Sequence, residues 1–170
     1  MCKVVVDEQL YKPAFMVEQT DMPFLVRLDN RKFLREQDME GDGKDDRFYV
    51  YDTVANKVVQ APRSTLDLDG IQPALEGEYE VETLGGKVRC TTVFARVREL
   101  LESYTPEQTE SITGIHPQNV RDLARRIGKA RACSNITQSN LGKFYHGMSA
   151  ERAMLMLFAM TGHIGRNGAN

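Results

Sequence analysis

The spacing of apolar residues changes near residue 92, and this change constrains the fold more than any other feature of the sequence. Before it, apolar and polar residues alternate in short runs that turn residues interrupt, which is typical of β-hairpins. After it, apolar residues recur about every 3.5 residues, as on one face of a helix. The sequence therefore predicts an α+β protein, with a β-hairpin-rich segment over residues 1–92 followed by an α/β layer over residues 93–170.

Turn residues place the hairpins of the first segment. Gly85 and Gly86 allow the positive backbone dihedrals that a tight hairpin turn needs. The acidic stretch 40–46 lacks the ligand spacing and the closing glutamate of a calcium-binding EF-hand loop, so we interpret it as a solvated loop. We predict three hairpins, which join residues 24–28 to 32–35, 48–52 to 57–60, and 79–84 to 87–91.

Capping signals place the helices of the second segment. Thr105 is predicted to cap a short helix that opens at Pro106 and ends at Gly114, and Pro117 opens the next helix. Residues 130–138 are predicted to enter a short buried strand, and Ser149 is predicted to cap a final helix. The predicted helical faces are an apolar one with Val93, Phe94, Val97, Leu100 and Leu101, and a solvated one with Arg121, Arg125 and Arg126.

Composition excludes several classes of protein. The net charge of −2 provides no basic excess for a dedicated nucleic-acid binder. The three cysteines are far apart in the sequence, which fits neither a disulfide framework nor a zinc or iron–sulfur ligand set, so we expect buried or half-buried thiols. No apolar run approaches the roughly 20 residues that span a bilayer. The glycine-punctuated end of the sequence leads us to expect a piece of a larger chain.

Residues 139–147 form the candidate binding loop. They combine small, amide, cationic and aromatic side chains between a predicted strand and a capped helix, and loops at the carboxyl ends of strands bind nucleotide-like ligands. Backbone N–H groups and the helix N-terminus there can hold phosphate. On these residues alone, an ordinary connection with a surface lysine and a loop histidine remains an alternative. The candidate cofactor-binding residues are Ser139, Asn140, Gly142, Lys143 and His146.

Other chemically suggestive residues have structural explanations. His116 precedes a helix, and Gly162 beside His163 suggests a helix stop. Glu107 and Glu110 fit a solvated helix face better than a catalytic acid–base pair. The methionines at positions 154, 156 and 160 are interpreted as core filling.

Several passages taken together resemble a known family. Residues 104–107 (YTPE), 112–115 (ITGI), 120–125 (VRDLAR) and 157–169 (LFAMTGHIGRNGA) look like passages of the dimethyl sulfoxide reductase superfamily. Residues 20–27, 33–36, 48–52, 73–77 and 143–147 resemble its type II branch. That branch includes ethylbenzene and dimethyl sulfide dehydrogenases, selenate and chlorate reductases and, more distantly, respiratory nitrate reductase.

The resemblance implies molybdenum held by bis-molybdopterin guanine dinucleotide in the catalytic subunit of an oxidoreductase. The reaction would be oxyanion reduction, or hydroxylation or dehydrogenation of a small substrate, in anaerobic respiration. The resemblance also implies an iron–sulfur cluster in the full-length chain, an iron–sulfur electron-transfer subunit as partner, and a periplasmic or membrane-associated location in bacteria. It makes the region after residue 92 part of a molybdopterin-binding domain.

Matching by position assigns cofactor contacts to Ser139 and Lys143. Lys143 replaces the glutamine of the broad superfamily pattern, and we make it the candidate catalytic residue because a cation favours an anionic cofactor or a developing oxyanion. The aspartate ligand and the Cys/His cluster of the branch are absent from this sequence, and guanine-binding segments would follow Asn170. We therefore predict that the chain alone is inactive. The alternative is a non-catalytic structural or interaction module that retains the fold.

Overall fold

We describe the protein from a computed structural model, which covers residues 1–62, 65–137 and 141–169. Helices and small antiparallel sheets are both present, so the predicted α+β class is confirmed. The chain divides into two compact units. We call Met16–Glu99 the β-rich unit, and Met1–Phe15 together with Leu100–Asn170 the helical unit. The domain division predicted at residue 92 stays a prediction.

The described residues form seven α-helices and five strands. The helices are α1 Cys2–Asp7, α2 Pro13–Gln19, α3 Glu36–Met39, α4 Val93–Leu101, α5 Pro106–Thr113, α6 Pro117–Lys129 and α7 Gly147–Met160. The strands are β1 Leu25–Arg27, β2 Tyr49–Asp52, β3 Lys57–Gln60, β4 Glu78–Thr83 and β5 Gly86–Thr92. The change of periodicity near residue 92 coincides with the end of β5 and the start of α4.

The β-rich unit contains two antiparallel sheets. One has the strand order β1-β5-β4, and β2 pairs with β3 in the other. The second and third predicted hairpins are confirmed, with Thr83 opposite Gly86 across the turn of the third. The first hairpin is confirmed only in part. Val26 and Phe33 form an isolated bridge, but β1 pairs mainly with β5, since that strand offers a longer partner.

The core of the β-rich unit lies where its strands and the segment after β1 meet. Leu25 and Leu34 are fully buried there. Burying each such leucine contributes about 1.5–3 kcal/mol relative to leaving it in water. Arg27 closes the edge of this core, where its guanidinium donates to Asp38 at 2.6 Å. The buried cluster consists of Leu25, Leu34, Tyr49, Val81 and Cys90.

Helix α1 contacts both α6 and α7 in the helical unit. This helix was not predicted from the sequence, because half of its residues are valines, which favour strands. Val4, Val5 and Val6 are all buried. Tertiary packing therefore outweighs local propensity in this segment.

The predicted cap of α5 and the predicted start of α6 at Pro117 are confirmed. The Thr105 hydroxyl accepts the amide of Gln108 at 3.2 Å, and the Gln108 side chain accepts the amide of Thr105 at 3.1 Å, which is a capping box. Gly114 ends α5 in the left-handed conformation, with φ of 69°. His116 precedes α6 as expected, and its Nδ1 accepts the amide of Gln118 at 3.2 Å.

The basic face predicted on α6 is solvated only in part. Arg126 is exposed. In contrast, Arg125 donates to both carboxylate oxygens of Glu8 on α1, at 2.8 and 2.9 Å, and Arg121 donates to Glu107 on α5. Two of the three arginines therefore join α6 to neighbouring helices. Bidentate geometry favours such pairing.

The predicted strand over residues 130–138 is wrong for the described residues 130–137, which form no strand. Side chains of this segment lie along α7 instead, with the Asn135 amide 3.1 Å from the Met154 sulfur. A strand needs a neighbour for its backbone hydrogen bonds, and the described part of the helical unit provides none. The described part of the predicted α/β layer therefore consists of α-helices, one short 3-10 turn and loops after β5.

Two details of helix boundaries and faces also differ from expectation. Helix α7 begins at Gly147, so Ser149 lies inside its first turn and does not cap it. Leu100, predicted on the buried face of α4, is 60% exposed, whereas Phe94 and Leu101 are buried as predicted. The predicted core methionine Met160 is fully buried, and Met154 and Met156 are half-buried.

Candidate functional site

The structure describes three of the five candidate loop residues. Ser139 and Asn140 lie outside the described residues, so their cofactor contacts stay predictions. Gly142 and Lys143 lie in a short 3-10 turn, Leu141–Lys143, and His146 directly precedes the first residue of α7. The site is therefore built from the end of a tight turn and the beginning of a 14-residue helix.

Backbone contacts hold this loop close to α7. The amide of Phe144 donates to the carbonyl of Leu141 at 3.1 Å, and the amide of Gly147 donates to the carbonyl of Phe144 at 2.9 Å. Gly147 is pressed against the turn, because a Cβ atom there would lie 1.6 Å from the Leu141 carbonyl oxygen. Only glycine fits this approach.

The amides at the start of α7 are already engaged. The amides of Ser149 and Ala150 both donate to the carbonyl of His146, at 3.0 and 3.1 Å. Since the Gly147 amide is also bonded, these three groups are unavailable to an anion in this arrangement. The predicted phosphate binding would therefore depend more on side chains than on this helix N-terminus.

Lys143 is exposed and has no ion-pair partner among the described residues. Apart from its two chain neighbours, no described residue has an atom within 4 Å of the position that a Cβ atom would take at Gly142, so there is room beside the lysine. His146 adopts a left-handed conformation, with φ of 60°. Its ring lies 4.0 Å from that of Tyr145, centroid to centroid, and its side chain points to solvent. The described part of the loop thus presents the Lys143 ammonium, exposed and without a described partner, beside open space.

His163, which follows α7, is fully buried. One ring nitrogen, Nε2, lies 2.8 Å from the carbonyl of Ile127 at the end of α6, and Nδ1 has no hydrogen-bond partner among the described residues. Gly162 adopts a φ of 70°, which confirms the predicted helix stop. The sequence analysis missed the burial of His163, and no local signal marked it.

The remaining ionisable groups do not form a second site. Among the described residues, no three His, Cys, Asp or Glu side chains come together as metal ligands. Cys90 is buried, and Cys2 and Cys133 are half-buried, which confirms the interpretation of the thiols. Burial raises the pKa of the Cys90 thiol to about 11, because a desolvated thiolate is disfavoured.

The acidic surfaces are solvated as predicted. Glu107 and Glu110 are not paired with each other for catalysis, since Glu107 binds Arg121. Most of residues 40–46 are exposed. None of the helices in the described ranges has the length and apolar character needed to cross a membrane.

Similarity to known proteins extends over almost the whole chain. It is 43% identical over 175 residues to the chlorate reductase subunit alpha of Ideonella dechloratans, a match that covers 99% of this chain and 19% of that protein. It is 41% identical over 174 residues to the dimethylsulfide dehydrogenase subunit alpha of Rhodovulum sulfidophilum, with the same coverage of both chains. The perchlorate reductase subunit alpha of Dechloromonas aromatica is 31% identical, with 99% of this chain and 21% of that protein covered.

No protein-family profile matches the chain. The relatives, however, are alpha subunits of molybdenum enzymes that carry a molybdopterin cofactor. The chain belongs to the dimethyl sulfoxide reductase superfamily of molybdopterin oxidoreductases. The three relatives named above are two reductases of chlorine oxyanions and a dimethylsulfide dehydrogenase, which confirms the predicted type II branch. The chain spans about a fifth of the length of these relatives.

Proposed function

We propose that this chain forms part of the catalytic alpha subunit of an oxidoreductase that binds molybdenum through bis-molybdopterin guanine dinucleotide. The similarity to two alpha subunits at 43% and 41% identity, from end to end of this chain, carries the proposal. The reaction would be the reduction of a small oxyanion, or the hydroxylation or dehydrogenation of a small molecule. Chlorate and dimethylsulfide are the first substrates to test, since the names of those two relatives specify them.

The described loop fits an anionic group on one side. The Lys143 ammonium is exposed, and the space beside Gly142 is open. An ammonium can donate hydrogen bonds to phosphate or to an oxyanion, and its charge acts most strongly where water is excluded. The bound cofactor would supply the redox centre. Lys143 would supply positive charge, and the turn that Gly147 closes would fix its position. Ser139 and Asn140 would contact the cofactor from the same loop.

Further components of the enzyme follow from the same proposal. We expect an iron–sulfur cluster in the full-length subunit, held by cysteines outside this chain. The word "alpha" in the relatives' names supports other subunits, and we propose an iron–sulfur electron-transfer protein among them. A periplasmic or membrane-associated location in bacteria is also proposed. The alternative of a non-catalytic module is not favoured, because the relatives reported above are named as enzymes.

Metal and pterin analysis of the full-length protein tests the proposal directly. The protein is produced in a host that makes the molybdenum cofactor, and molybdenum is measured by mass spectrometry while pterin is measured by fluorescence after oxidation. We expect close to one molybdenum and two pterins per subunit, the composition of the proposed cofactor. A folded subunit without either component would refute the proposed function.

Substituting Lys143 tests the role of the site in the full-length enzyme. We expect Lys143→Ala to lower kcat/KM by about 10- to 1,000-fold, the range seen when an electrostatic stabiliser is removed. Lys143→Gln retains a donor without the charge and should lose less. Lys129→Ala, on an exposed lysine at the end of α6, is the matched control and should change little.

The molybdenum content of these variants separates two roles for Lys143. A loss of molybdenum together with activity would assign the lysine to cofactor binding. Full molybdenum content with lower kcat/KM would assign it to the substrate. Unchanged activity and molybdenum content in Lys143→Ala would remove Lys143 from the site.

A further inference from the structure

Helix α7 carries apolar residues around its whole circumference. Its sequence is GMSAERAMLMLFAM, in which Glu151 and Arg152 are the only charged residues. A soluble helix that is apolar on all sides is usually buried on all sides. The sequence of α7 therefore indicates more burial than one packed face provides.

Only one side of α7 is covered in the described chain. Leu157, Phe158 and Met160 are buried, and α7 contacts α1 there. Met148 and Leu155 are 65% and 49% exposed. Residues seven apart lie on one side of a helix, about 20° apart, whereas Leu157 lies roughly 160–180° away from both. Leu157 therefore lies opposite the exposed pair, and Phe158 and Met160 lie at the two borders of the buried face.

The exposed face continues into the candidate binding loop. Phe144 is 70% exposed and Tyr145 is 92% exposed, within one helical turn of Met148. We call Phe144, Tyr145, Met148 and Leu155 the outer α7 face. Arg152, also exposed, lies on the same side of the helix, about 40° from Met148. Large apolar side chains that are exposed as a group mark a surface that another element covers.

We propose that another segment of the same polypeptide, beyond the residues of this sequence, covers the outer α7 face. This segment would be apolar, with a carboxylate or backbone carbonyl that accepts from Arg152. The inference rests on the proposed function, since the match covers only 19% of each of the two most similar alpha subunits reported above. About four-fifths of such a subunit would therefore be available as the cover.

The position of Lys143 favours this occupant over a second copy or another subunit. Lys143 immediately precedes Phe144, so the outer α7 face adjoins the proposed site. A catalytic site acts best where water is excluded, and the rest of the same subunit, about four-fifths of its length, is available to exclude it. We therefore expect the residues beside Lys143 to face the interior of that subunit.

Hydroxyl-radical footprinting of the full-length alpha subunit tests this without any substitution. Tyrosine, phenylalanine and methionine react readily with hydroxyl radicals, so the outer α7 face carries its own probes. Oxidation of Tyr145 and Met148 is compared between the native subunit and the subunit unfolded in guanidinium. Phe158, buried within this chain, is the internal reference for full protection. The subunit is studied alone, at several concentrations, with and without molybdenum.

We expect Tyr145 and Met148 in the native subunit to lose oxidation as completely as Phe158 does, at every concentration. Oxidation near the unfolded level would overturn the proposal. Protection only at high concentration would indicate a second copy, and protection only in the assembled enzyme would indicate a partner subunit. Protection only in the molybdenum-loaded form would indicate the cofactor. Each of those three results also overturns it. Full protection in a subunit that acquires no molybdenum in a host that makes the cofactor would support this inference and refute the proposed function.

Discussion

In the β-rich unit, three large apolar side chains are well exposed among the described residues, against twelve in the helical unit of similar length. The charges differ too. The β-rich unit has 12 Lys and Arg against 17 Asp and Glu, and the helical unit has 10 against 7. The β-rich unit thus leaves few large apolar side chains exposed, and the helical unit leaves both apolar and cationic side chains exposed. The candidate site lies in the second.

The two units therefore differ in how far their own residues cover their surfaces. The β-rich unit is built from strands of alternating polarity and tight turns. We therefore expect its stability to depend on its own core. In the helical unit, Lys143 and the outer α7 face lie on elements that the described chain covers only in part. We expect a functional surface where a unit leaves apolar or charged side chains uncovered.

A pair of leucine substitutions gives the largest expected effect and tests whether the β-rich unit is self-contained. Leu34→Ala should reduce the free energy of opening by about 2–5 kcal/mol, because it removes a fully buried side chain and leaves a cavity. Leu84→Ala, at a hairpin turn where the leucine is 63% exposed, should have little effect. Hydrogen exchange of the β1 and β5 amides in the full-length protein measures both. Equal effects would mean that the core is not centred on Leu34.

Cysteine alkylation compares the two units directly. At pH 8, Cys133 should react with iodoacetamide on the order of 100-fold faster than Cys90, because burial raises the pKa of Cys90 to about 11 and blocks access to its thiol. Half-buried Cys133 lies in the helical unit. Mass spectrometry of time points gives both rates in one sample. Rapid labelling of Cys90 would show that the β-rich unit opens readily.

Acid sensitivity near Asp52 is the smallest expected effect. The carboxylate of Asp52 accepts the amides of Gln72 at 3.1 Å and Val54 at 3.0 Å, and these bonds lower its pKa. Its stabilising contribution is therefore present above the unfolded pKa of about 3.9 and is lost as the pH falls through the lower folded pKa. We expect exchange of the Gln72 amide, corrected for its intrinsic pH dependence, to accelerate over that interval.

Replacing the carboxylate tests this assignment. Asp52→Asn keeps an oxygen acceptor that does not titrate, so the acid dependence should become flatter. Asp45→Asn, in the exposed acidic loop, is the matched control and should retain it. An Asp52→Asn protein with the acid dependence of the wild type would assign the effect to another carboxylate.

Features set by neighbouring residues were predictable from the sequence. The Thr105 cap, the stop at Gly114 and two of the hairpins depend on a few adjacent residues. Helix α1 was not predictable in this way, because Val4–Val6 favour a strand until α6 and α7 cover them. The strand predicted over residues 130–138 is wrong in its described part, because no neighbouring strand lies there to share its backbone hydrogen bonds.

The candidate site was predictable as a list of residues but not as a geometry. Loop composition and resemblance selected Lys143 and its neighbours. The Gly147 amide donates to Phe144 and the Ser149 amide donates to His146, and no sequence signal indicated these contacts or the 3-10 turn that precedes them. The burial of His163 depends on its contact with Ile127, which is 36 positions away in the chain.

The contact between Gly147 and the Leu141 carbonyl has a consequence for protein engineering. Any side chain at position 147 would push the turn away from α7 and carry Lys143 with it. A mutant library aimed at new substrates should therefore leave position 147 unchanged. Position 142 is the better target, because a new side chain there enters open space beside the lysine without displacing the backbone. On the proposed function, substitutions at position 142 would change the surroundings of Lys143 while the geometry that positions its charge is preserved.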